Sequence, residues 1–171
     1  MVLYIRLLSN DAEDFVMEIA VNDNATFMEL HTYIQKSLGY DSSNMASFVI
    51  TDNDWNREKE ISLMKMNEED KDIELMEETT LKEFIKNKKQ RLLYVFDFFS
   101  ERAFFMEVFD IRKGEIREPE LIKKEGTPPE QIAIDDSFTD DAFYSEDMGN
   151  EFDEGFEDLD SLDPDNIPDD Y

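Results

Sequence analysis

The chain has 171 residues, 40% of them apolar and 14 of them Phe, with a formal net charge of −27 and no Cys. Without Cys there are no disulfides, thiolate metal sites or cysteine nucleophiles. So negative a surface repels phosphate backbones and anionic membranes, whose binding depends on Lys and Arg, and favours a basic protein partner. The charge is uneven: residues 135–171 carry 16 Asp and Glu and no Lys or Arg, leaving 28 acids against 17 bases for residues 1–134. The opening "MVLYIRLLSNDAED" lacks the basic start and long apolar core of a signal peptide. No run approaches the ~20 apolar residues of a membrane helix. A cytoplasmic protein is expected.

In chain order, "VLYIRLLS" (Val2 to Ser9) is rich in β-formers, and "DFVMEIAV" (Asp14 to Val21) alternates, with Phe15, Met17, Ile19 and Val21 on one side. The turn residues "SNDAE" between them predict a β-hairpin. In "NATFMELHTYIQKSLGY", Thr26 with Glu29 has the spacing of a capping box, and Gly39 suits a left-handed stop. Phe27, Leu30, Ile34 and Leu38 recur at helical spacing between them, so an amphipathic helix is expected. "SFVIT" (Ser47 to Thr51) reads as a short strand.

The charged stretch that follows predicts one strand, Glu60 to Met66, in an otherwise irregular loop. Thr80 and Glu83 repeat the capping-box spacing at the start of a second, shorter helix with Leu81, Phe84 and Ile85 on its apolar side. "RLLYVFDFFSERAFFMEVFD" then supplies two β arms, Leu92 to Phe99 and Phe104 to Ile111, flanking "SERA". Leu92 to Phe96 is apolar on both faces, as in a central strand. Beyond Ile111 the pattern dissolves, and Pro128-Pro129 excludes regular structure locally.

From Asp135 the acids cannot bury enough surface to offset the entropy of ordering them, so disorder is expected. Phe138, Phe143, Tyr144, Phe152, Phe156 and Leu159 punctuate the run, an interaction composition. The chain thus reads as α+β. It has a β-β-α-β, β-grasp-like start, a second short helix, a C-terminal β-hairpin and a disordered acidic tail. Its expected parts are a core domain over 1–111, a Pro-containing extension packed on the core over 112–134, and an acidic-aromatic tail over 135–171.

The segments "ELHTYIQKSLGYD", "FVI", "METTLKEFI", "LLYVFDFFSERAFFMEV" and "GTPPE" resemble, in this order, the plasmid pRiA4b ORF-3-like family, above all its acidic-tailed bacterial members. The resemblance implies a small α+β domain of no established biochemical activity. The family's hairpin pattern is aromatic-Asp-Phe-Gly-Asp followed by Trp, and Asp97 and Phe98 fall on its Asp-Phe. Phe99 and Ser100 stand where Gly and Asp are usual, Arg102 stands near the Trp, and the Cys common before Pro-Pro-Glu is absent.

Asp97 is the first candidate site. A carboxylate among Leu, Tyr, Val and Phe needs a partner or a proton. It either lies near the hairpin end and accepts bonds from loop N–H groups or from Arg102, or serves as a catalytic acid or base with Glu107, the one acid of the opposing arm. In the second case Phe98, Phe99, Phe104 and Phe105 would wall a pocket for a small ligand. His31, the sole histidine, sits at the edge of the helix's apolar stripe, and a lone His is a poor metal site. Packing is expected to outweigh chemistry there. The basic run "KNKKQR", with Lys86, Lys88, Lys89 and Arg91, is either a solvated helix end or a resting place for the acidic tail.

In the tail, Phe143, Tyr144, Phe152 and Phe156 are the expected contacts for a basic partner, against the simpler possibility that the tail only solubilises. "DLDSLDPDNIPDD" lacks the sixth-position Gly and terminal Glu of a calcium loop. No phosphate loop, nucleophile elbow or His-Glu-x-x-His occurs. The expected function is therefore a non-enzymatic interaction module without cofactor or metal, whose tail engages a basic protein or mimics nucleic acid. The alternative is a ligand-binding or enzymatic domain built around Asp97.

Overall fold

The computed structural model describes residues 1–66 and 72–132. Eight strands and two helices run in the order β1 (Val2–Ser9), β2 (Val16–Asn22), α1 (Phe27–Leu38), β3 (Ser47–Thr51), β4 (Arg57–Ser62), β5 (Ile73–Leu75), α2 (Leu81–Phe84), β6 (Arg91–Asp97), β7 (Arg102–Arg112) and β8 (Glu120–Glu125). The architecture is α+β. All eight strands join one sheet in the order β5-β4-β3-β6-β7-β1-β2-β8. Every pairing is antiparallel except β4 with β5.

Period-2 alternation divides the sheet into two faces. Leu3, Ile5 and Leu7 of β1, Met17, Ile19 and Val21 of β2, and Leu92, Tyr94 and Phe96 of β6 point to the core, as do Phe104, Met106 and Val108 of β7. Helix α1 contributes Phe27, Leu30, Ile34 and Leu38 to the same core. Its ends match their sequence signals. Thr26 and Glu29 form the reciprocal capping box, and Gly39 takes the left-handed conformation at φ 72°. Two N–H groups at the α1 start, which no helical carbonyl can serve, find partners outside it: Phe27 donates to Thr79 and Met28 to Met76. The start of α2 is anchored in return, Leu81 donating to the Ala25 carbonyl.

The structure corrects the sequence reading in three places. The strand expected at Glu60 to Met66 lies earlier, as β4. Ile73–Leu75, read as loop, is a short parallel strand on its edge. Residues Glu120–Glu125, expected to be irregular, form β8 along the free side of β2. Every β8 residue is exposed, so the strand exists through backbone pairing and leaves no burial pattern to read. After β8 the chain is tied back to the end of α1. The Tyr40 hydroxyl donates to the Pro129 carbonyl, and Gln131 donates to the Asp41 carbonyl at 2.8 Å. The disorder expected for 135–171 concerns residues outside the described ones.

Candidate functional site

Asp97 ends β6 and is 7% exposed. One oxygen accepts the backbone N–H of Phe99 at 3.1 Å and of Ser100 at 3.2 Å, and the other faces Arg102 Nη1 at 3.5 Å. Burial by itself would raise this carboxyl. The Ser100 N–H, the Arg102 guanidinium and the Phe99 N–H outweigh that and hold it below the usual carboxylate range. The carboxylate is thereby committed to shaping a tight turn in which Glu101 takes a positive φ of 52°. Arg102 also binds Asp11 at 2.8 Å and lies over the Phe96 ring, which joins the turn to the β1–β2 loop.

The groups grouped with Asp97 in the sequence reading do not gather around it. Glu107 pairs in register with Arg91, whereas Asp97 pairs with Arg102. Six residues of β6 separate the two acids, about 20 Å of strand. Phe104 is fully buried on the core face, its neighbour Phe105 points to the other face, and Phe99 is fully exposed at the turn. Adjacent strand residues cannot line one side of a pocket, and this decides the geometry.

His31 is buried at 2% exposure beneath α1, with Nδ1 2.8 Å from the Tyr94 hydroxyl. Gln35 Nε2 donates to the same hydroxyl at 2.5 Å. A hydroxyl that accepts from Gln35 and donates to His31 satisfies all three groups, with the imidazole neutral. Burial holds the His31 pKa below its ordinary value. Among the described residues no group of three or more His, Cys, Asp or Glu side chains could hold a metal ion.

Three members of the basic run make contacts of their own. Lys88 pairs with Asp110 at 2.5 Å, and Arg91 lies 4.0 Å from Glu107 with its guanidinium over the Trp55 ring. Lys86 bonds to the Lys82 carbonyl, and Lys89 takes a positive φ of 66° at the turn into β6. The tail contacts Phe143, Tyr144, Phe152 and Phe156, and any docking of that segment on Lys86 to Arg91, lie outside the described residues.

Sequence reasoning missed the sheet's outer face. Across seven adjacent strands, residues directly opposite one another run Arg57, Thr51, Arg91, Glu107, Arg6, Glu18, Lys123. Opposed residues share a face, so these side chains form one transverse row. Arg6 and Glu18 make a close pair at 2.7 Å. Aromatic rings flank the row. Arg6 lies over Phe109, Arg91 over Trp55, and Trp55 meets Phe105 edge-on at 4.9 Å. In β1, β2, β3, β6 and β7 the outward members alternate with core residues, a signal present in the sequence; the register that aligns them across strands is not.

These features define a single-sheet α+β protein with a helix-covered face and a charged, aromatic outer face. A family model for the plasmid pRiA4b ORF-3-like protein matches residues 2–167, and the chain belongs to that family. The fold is similar to the crystal structure of a protein of unknown function from Methanosarcina mazei Go1. That likeness has a TM-score of 0.58 and 19% identity, covering 72% of this chain and 68% of that one. No protein of curated function matches the chain.

Proposed function

We propose that this chain is a protein-interaction module whose C-terminal segment, residues 135–171, engages a basic protein surface or takes the place of a nucleic-acid backbone on one. The observation that carries this reading is the segment itself: 16 acids, no Lys or Arg, and aromatic residues Phe143, Tyr144, Phe152 and Phe156 spaced among them. Acids raise the encounter rate with a basic surface, and aromatics supply desolvated contacts that slow dissociation. The commitment of Asp97 to its turn, with Glu107 a strand-length away, also supports an interaction role over acid–base chemistry at that hairpin. Among the described residues no helix is long and apolar enough to cross a membrane, and a cytoplasmic setting is part of the proposal.

We read the fold as β-grasp-like in its opening, where the β1–β2 hairpin leads through α1 to β3, with β6 and β7 inserted between β1 and β3 in the sheet.

The test is a pull-down with full-length chain, with a chain ending at residue 134 and with the four aromatics changed to Ser, followed by titration of the retained protein at two salt concentrations. The expected partner is basic and binds full-length chain most tightly. Its affinity falls steeply with salt, since exposed charges are screened beyond ~8 Å at physiological ionic strength. Equal affinity for all three proteins would refute the proposal.

A further inference from the structure

The transverse row on the outer face alternates in sign from one end to a single gap. Lys123, Glu18, Arg6, Glu107 and Arg91 follow one another as positive, negative, positive, negative, positive. The next position requires an anion. Thr51 stands there instead, with Arg57 beyond it. Two arginines therefore flank one threonine, their strands about 10 Å apart. Opposed opposite charges stabilise a sheet and like charges do not, so this end of the row is short of one negative group.

The threonine shows the same deficit independently. Thr51 is 5% exposed, and its Oγ1 is buried without a hydrogen-bond partner. Ser47 Oγ is the other such atom among the described residues, but it lies beside Val95 rather than between arginines. A buried hydroxyl with no partner is costly, and a native structure that keeps one calls for an explanation.

The surroundings fit a ligand rather than a solvated surface. Among the described residues no carboxylate lies within ion-pair distance of the exposed Arg57, and Arg91 reaches Glu107 only at 4.0 Å. The nearest acids in the sheet are Glu58, which follows Arg57 in β4, Glu107, opposite Arg91, and Glu60, opposite Val49 in the next row. Trp55 forms a wall. Its loop is turned back by Asp52, which accepts the N–H of Asp54 and Asn56, and its ring lies 5.0 Å beneath the Arg91 guanidinium.

We propose that Arg57, Thr51 and Arg91 form a binding site for an oxyanion, a phosphate or carboxylate group. The Arg57 guanidinium, the Arg91 N–H groups that remain beside its bond to the Asn53 carbonyl, and the Thr51 hydroxyl act as donors, and Trp55 is the flanking plane. Guanidinium matches either group with paired N–H bonds.

Trp55 is the sole tryptophan, so intrinsic fluorescence reads the site directly. Full-length chain is titrated with inorganic phosphate and, separately, with acetate, with ionic strength matched by chloride. A saturable change with either anion, absent with chloride, supports the site, and the anion that saturates at lower concentration names the preferred group. Arg57→Gln is expected to weaken binding about ten-fold, as loss of a charged donor does. Thr51→Val should weaken it about five-fold without lowering the melting temperature, because it also removes the orphaned hydroxyl. Glu107→Gln should tighten binding by releasing Arg91. A response to phosphate and acetate no different from chloride overturns the proposal. So do unchanged affinities in both Arg57→Gln and Thr51→Val, whose exposed or near-isosteric changes leave the fold intact.

Discussion

Phe96 and Phe99 are the same residue type three positions apart, and they should respond oppositely to truncation. Phe96 is 1% exposed, its ring centroid 4.7 Å from that of Phe104 and 5.6 Å from that of Tyr40, with the Arg102 guanidinium over it. Phe96→Ala removes that ring from a close-packed site and leaves a cavity. The cost is ~3–5 kcal/mol, and the lost aromatic partners favour the upper part of the range. For a folded unit of this size each kcal/mol shifts the melting temperature by roughly 3–4 °C, so a loss of about 9–20 °C is expected. Phe99 is 103% exposed at the turn, so Phe99→Ala removes no buried surface and should stay within ~0.5 kcal/mol of the parent. Thermal melts followed by far-ultraviolet circular dichroism, with urea titrations for the free energies, measure both. A Phe96→Ala melt within about 3 °C of the parent would show that the core is centred elsewhere.

Asp97→Asn keeps an acceptor for the Phe99 and Ser100 N–H groups and should be mild, whereas Asp97→Ala strands both donors and should cost ~1–3 kcal/mol by urea titration. Burial holds the folded-state pKa of His31 below its ordinary 6.5, so the unfolded chain takes up a proton first as pH falls. The stability tied to a neutral His31 is complete above pH 6.5 and is lost as pH drops from there towards the lowered folded value. The parent should therefore lose more of its urea midpoint than His31→Gln between about pH 7.5 and pH 5, and equal losses would contradict this. Gly126 has φ 74°, and an added Cβ would lie 2.3 Å from the Asp14 carbonyl oxygen, while Gly39 at φ 72° has open space around it. Gly126→Ala should lower the melting temperature well beyond Gly39→Ala, which bears only the ~1–2 kcal/mol left-handed penalty.

Several features of this molecule are written locally. The ends of α1 follow from Thr26, Glu29 and Gly39, because caps are satisfied within one turn of chain. The two hairpins follow from alternation and turn residues, and the inner faces of β1, β2, β6 and β7 follow from the same period. The net charge of −27 and its concentration in 135–171 need no coordinates at all. Strands β5 and β8 were not legible. Ile73–Leu75 is too short to show a period, and Glu120–Glu125 buries nothing, so each depends on backbone groups offered by a strand already in place.

The site geometry was decided by tertiary structure for the same reason. Asp97 and Glu107 look adjacent in a hairpin read as text, but register sets them six residues apart. Arg57, Thr51 and Arg91 are separated in the chain and become neighbours only when β3 enters the sheet between β4 and β6. Side-chain periodicity fixes which face a residue takes, because it is a property of a single strand. Which residues meet on that face depends on strand order and register, which are properties of the whole sheet.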